Sequence, residues 1–194
     1  MASTYSALAL EIADFLHRSD IDTVIPTWIA LAEAKLNREL RVEQMISTLS
    51  STIAAPSISL PADFLEVVSL NIGDDSYEYR PRTQFFILEG NYYTRVGNSL
   101  RLASDITAST TVSMDYYASI PALQTALTNW LLTSSPDLYL YSALLEGVPY
   151  LNLSAQDARP AQWAGARAAV LSQMSVADQT SRFSGQQLTI TIPR

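Results

Sequence analysis

Four carboxylates stand on stretches with helical periodicity: Glu11, Asp14, Glu33 and Glu146. Hydrolysis of a glycosidic bond needs two carboxyl groups at a set separation, one of them with a raised pKa. Glu146 is the carboxylate within the most apolar stretch, and its expected place is a subunit interface or an ion pair with Arg159 or Arg167. Asp74 and Asp75 are adjacent, but no further acidic residues follow at fixed offsets, so with Gly73 they read as a turn. His17 is the one histidine in the chain, at the end of a helical stripe. Zinc there would need carboxylates around it, and neither His-x-Glu nor HExxH spacing occurs, so no ligand role is assigned. The chain has no cysteine, which excludes disulfides and thiolate metal sites. No cofactor is expected.

Aromatic residues offer a second chemistry. Tyr77, Tyr79, Phe85, Phe86, Tyr92, Tyr93, Tyr116 and Tyr117 could stack on nucleobases, and Arg80, Arg82, Arg95 and Arg101 share their segment. Base-stacking platforms normally come with a basic groove. These arginines are dispersed and the formal charge is −7, so sheet core or subunit contact is the preferred reading. Asn152-Leu153-Ser154 matches a glycosylation sequon, but no secretory signal accompanies it. The N-terminal stretch is too acidic and amphipathic for a signal peptide, and no run of about 18 apolar residues suggests a membrane span. Synthesis in the cytosol is the simplest expectation.

The elements that must position these residues follow from periodicity. Hydrophobic residues make up 48% of 194, enough for a substantial core in a single domain with an insertion. Tyr5, Leu8, Ile12, Phe15 and Leu16 predict a first helix over 4–18, capped by Ser3 or Thr4. Asp22 or Thr23 should cap a second, whose buried face is Ile25, Trp28, Ile29, Ala32, Leu36 and Leu40. Its other side carries Glu33, Lys35, Arg38, Glu39, Arg41 and Glu43, read as a solvated or subunit-facing surface. From 46 to 119 the pattern turns β-rich. Strands are expected over 48–54, 57–60, 64–72, 77–80, 92–96, 99–102 and 110–117, with a short helix over 82–90 and a Gly97-Asn98 hairpin loop. This predicts one compact antiparallel sheet inserted between helical halves.

The stretch TNWLLTSSPDLYLYSALLEGVPYL, 128–151, organises the second half. Ser134 or Ser135 can cap a helix over 136–148, with Pro136 in its first turn and Asp137 at the positive end of its dipole. Gly147 and Pro149 are expected to end it. Its apolar residues go nearly all round, so other elements should surround it. Trp130, Leu138, Tyr141, Leu144 and Leu145 are its expected structural core. A fourth helix is predicted over 154–180, with a capping box at Ser154-x-x-Asp157, Pro160 as kink or first turn, and Trp163, Val170, Met174 and Ala177 in a stripe. The end, QLTITI at 187–192, alternates polar with apolar and reads as a strand lacking a hairpin partner. The fold class is α+β: about four bundled helices (1–45 and 120–181), a β insertion (46–119) and an extended tail (182–194).

The 128–151 stretch resembles the signature of head-to-tail adaptor proteins of tailed bacteriophages, with weaker similarity in SLPADF at 59–64. The order of helices, β insert, helices and tail extends the likeness over nearly the whole chain. The stretch is a pattern for burying helices and points to no active site. The resemblance implies a structural virion protein at the portal vertex: a homo-oligomeric ring of twelve copies that binds the portal, receives tail or nozzle proteins and lets genomic DNA pass without gripping it. It also implies that Leu188, Ile190 and Ile192 anchor the tail on the portal, the alternative being a tail folded back on its own sheet. A phage-associated cell-wall hydrolase acting at infection is the competing class, and a small DNA-packaging factor, disfavoured by the acidic balance, the third.

Overall fold

The computed structural model describes residues 2–85, 90–106, 109–153 and 156–183. In chain order, α1 (Tyr5–Leu16) and α2 (Ile25–Glu39) precede β1 (Ile46–Ile53), β2 (Ser57–Ser59), β3 (Phe64–Ile72), β4 (Asp75–Ser76) and β5 (Glu78–Tyr79). Then come α3 (Arg82–Phe85), β6 (Tyr92–Val96), β7 (Ser99–Leu102) and β8 (Thr110–Ala118). The chain ends with α4 (Leu123–Ala126), α5 (Trp130–Ser134), α6 (Pro136–Leu151) and α7 (Arg159–Phe183). It is an α+β fold in two compact units, Met1–Gln44 with Ile120–Arg194, and Met45–Ser119.

In the helical unit each end has a local cause. Thr4 Oγ1 accepts from the Ala7 amide at 3.3 Å and starts α1. His17 stops it short of the expected Arg18 by taking a left-handed φ of 51°, with the His17 and Arg18 amides closing on Asp14 and Ala13 carbonyls. The lone histidine is therefore a helix stop. Neither Asp22 nor Thr23 caps α2. A turn does so instead, with the Val24 and Ile25 amides on the Ile21 carbonyl and Pro26 just inside the start. Leu8, Ile12, Ile21, Ile25, Ile29 and Leu36 are all essentially inaccessible, as periodicity requires.

Helix α6 departs from expectation at both ends. Ser135 makes no side-chain cap bond; Asp137 meets the Leu138 amide at 2.9 Å. The helix also runs through Gly147 and Pro149 to Leu151 and stops at Asn152, φ 48°. Pro149 lies in the last turn, where its missing N–H removes only one bond. Gly147 serves packing, not termination: a Cβ there would stand 2.9 Å from the buried ring of Trp28. α1, α2, α5 and α7 all contact α6, so its apolar circumference is matched by neighbours. α7 begins at Arg159, later than expected, where Asp157 accepts from the Arg159 amide at 2.9 Å. Pro160 thus falls in its first turn and causes no kink; Ser154 lies outside the described residues. Trp163 is buried, Val170 and Met174 are half-buried, and Ala177 is exposed.

The β unit holds two sheets where one was expected. Their orders are β1-β8-β3-β4 and β2-β7-β6-β5. Every pairing is antiparallel except β5 with β6, which is parallel. The division begins after β3: its hairpin with β4 lasts only through Asn71↔Ser76 and Ile72↔Asp75, and the chain then leaves to join β6. Such a departure depends on distant partners and leaves no mark in local alternation. Gly97, φ 61°, takes the left-handed position of the β6–β7 loop. The predicted 82–90 helix is one turn, Arg82–Phe85, with 86–89 outside the described residues. Val112, Met114 and Tyr116 of β8 point into a core shared with Leu70, Ile72 and Leu100.

Candidate functional site

Three of the four carboxylates, Glu11, Glu33 and Glu146, are committed to structure, and Asp14 is exposed. Glu33, expected on the solvated side of α2, is 7% exposed. Its Oε1 accepts the Leu123 amide at 2.8 Å, starting α4, and lies 3.5 Å from the Tyr139 hydroxyl. That hydroxyl accepts from Asn129 Nδ2 at 2.7 Å. Asn129 also donates to the Pro121 carbonyl at 2.8 Å, while its Oδ1 caps α5 by accepting the Leu132 amide at 2.8 Å. Asn37 adds a further tie, accepting the Ile120 amide at 2.7 Å. Every polar atom of the Asn129 side chain is used, so the network fastens the 120–132 crossover to α2 and α6. Burial pushes the Glu33 carboxyl above its ordinary pKa, against the lowering effect of the Leu123 amide and Tyr139. Burial is also the main cause that raises Tyr139, with the Glu33 charge adding to it.

Glu146 faces neither Arg159 nor Arg167. It pairs with Lys35 of α2 at 2.5 Å. Arg167 instead pairs with Glu39 and donates to Ser142 Oγ at 3.1 Å, and Arg159 pairs with Asp157 at 2.6 Å. Charges four residues apart on α2 thus reach different helices, a choice made by packing and not by spacing. Glu11 receives the Ala2 amide at 2.8 Å. Glu11, Glu33 and Glu146 therefore hold backbone or a lysine. Among the described residues, no group of three or more His, Cys, Asp or Glu side chains could hold a metal ion, and no helix is long and apolar enough to cross a membrane.

Of the signature residues, Leu138 and Leu144 are buried, whereas Trp130, Tyr141 and Leu145 are half-buried. Leu188, Ile190 and Ile192 lie outside the described residues. What sequence reasoning missed is the shared role of Glu33, Asn129 and Tyr139. Asn129 carried a signal, an N-cap residue directly before Trp130-Leu131-Leu132; Glu33 carried none, since its partner is 90 residues away.

The aromatic set divides. Tyr77, Phe85, Tyr93 and Tyr116 are buried, whereas Tyr79 is 55% exposed. A cleft of about 290 Å³ in the β unit is lined by Phe64, Glu66, Tyr79, Tyr93 and Arg95 among others. The Arg95 guanidinium lies over Phe64 at 5.1 Å, so its charge is directed at a ring within the cleft. One carboxylate and one cation over an aromatic wall suit packing against a partner better than a two-carboxylate reaction.

The helical unit spends Glu11, Glu33 and Glu146 on internal ties, and the β unit carries an aromatic cleft. The family model for the SU10 adaptor protein matches residues 3–190, and the chain belongs to that family. It is thus a structural adaptor of bacteriophage type. No curated protein matches the chain.

Proposed function

We propose that this chain forms the ring between portal and tail in a phage virion, at the head–tail junction. The family match over residues 3–190 carries the reading. In it, twelve copies close into a ring through two different, complementary faces on each subunit. Leu188, Ile190 and Ile192 anchor the extended C-terminal segment on the portal, tail or nozzle proteins bind the opposite side, and DNA passes through the lumen. The formal charge of −7 supports passage without adhesion, because an acidic wall repels phosphates.

Light scattering tests this directly. The purified 21.3 kDa chain is measured alone and after mixing with its portal ring. Added mass in a multiple that matches the portal's symmetry is expected. A chain that stays apart from the portal at all ratios rejects the reading.

A further inference from the structure

The four sheet edges are unequal. β2, β4 and β5 have only 3, 2 and 2 residues, and shortness is one way that proteins blunt an edge. β1 has 8 residues, ISTLSSTI, with no charge and no proline. It pairs with β8 without a bulge from Ile46↔Tyr117 to Ile53↔Thr110, and among the described residues no strand lies on its other side. Shortness, charge, proline and bulge, the usual devices for protecting an edge, are all absent from β1.

The core side of β1 is also unfinished. Leu49 and Ile53 remain half-buried, while Met114 and Val112 on adjacent β8 are inaccessible. Another strand with apolar residues on alternate positions would close that face. The segment 187–192, QLTITI, has this form: no charge, and Leu188, Ile190 and Ile192 on one side. Fully extended, 184–194 would reach roughly 35 Å beyond the end of α7.

We infer that β1 of each copy receives segment 187–192 of a neighbouring copy as an added strand. The inference rests on the ring reading above and deepens it. An added strand keeps its far backbone edge free: Leu188, Ile190 and Ile192 then hold the tail in register on the ring, and that free edge is what meets the portal.

The absence of cysteine from the natural chain makes a clean test. One preparation carries Ser50→Cys, on an exposed position of β1, and the other Thr189→Cys. They are mixed with the portal ring and mildly oxidised. A covalent dimer of the two species, at twice the 21.3 kDa chain mass, is expected. It should be lost when the Ser50→Cys copy also carries Thr52→Lys, which places a charge on the exposed side of the edge without entering the core. Full-chain hydrogen exchange provides a second readout: β1 amides become protected when the chain joins the portal ring and stay exchangeable when every copy carries Thr52→Lys. Equal cross-linking to a Thr128→Cys control, or a bond formed only within a Ser50→Cys/Thr189→Cys chain, overturns the inference. Ring-sized mass with no cross-link also overturns it and leaves the adaptor reading standing. Failure to join the portal at all rejects both.

Discussion

Asn129 shows how one residue can hold several elements. Its two amide hydrogens and its oxygen satisfy Pro121, Tyr139 and Leu132 at 2.7–2.8 Å. Asn129→Ala leaves buried groups unpaired and should destabilise the fold by about 1–3 kcal/mol in a denaturant titration. Gly147→Ala acts by crowding, since the new methyl meets the Trp28 ring. A loss of about 1–3 kcal/mol is expected, seen as a lower Tm. Glu33 makes stability depend on pH. Its raised pKa means that the folded state holds the proton more tightly than the unfolded chain. Its contribution is therefore full below the usual glutamate range and is lost as pH rises through its own raised value. Glu33→Gln retains an acceptor for Leu123 but cannot ionise. Its Tm relative to the parent should rise as pH increases from the usual glutamate range through the raised value; an unchanged difference would contradict a raised carboxyl.

At the scale of elements, α6 is the axis of the helical unit and α7 its cover. The Lys35–Glu146 pair ties α2 to α6 with the lysine half exposed. Glu146→Gln is expected to change stability by less than about 1 kcal/mol, because solvent screens such a pair. It should also yield a protein that assembles as the parent does, checked by the same light scattering. Helix and strand interiors were legible from periodicity: β3, β6 and β7 have the bounds read from alternation. The ends were less so. α6 outlasts Gly147 and Pro149 because contacts along its whole circumference outweigh one lost hydrogen bond. α7 starts late because Asp157 caps it through Arg159.

Removing 186–194 should leave the helices folded by circular dichroism and abolish portal binding in the proposed ring. Unchanged binding would move the portal contact elsewhere. With a formal charge of −7, the isolated chain should show no salt-sensitive retention on DNA.

Composition and periodicity alone established the α+β class and the apolar central helix, while the residues of 128–151 carried the family resemblance. These depend on local propensity and on patterns that a helix or strand repeats every few residues. Folding in three dimensions settled which charges became internal ties, the division of the β segment into two sheets, and the release of Glu33 from solvent. Glu33 meets Leu123 and Tyr139 across 90 and 106 positions of chain. No spacing rule reaches that far; only the packing of α2 against α6 brings them together.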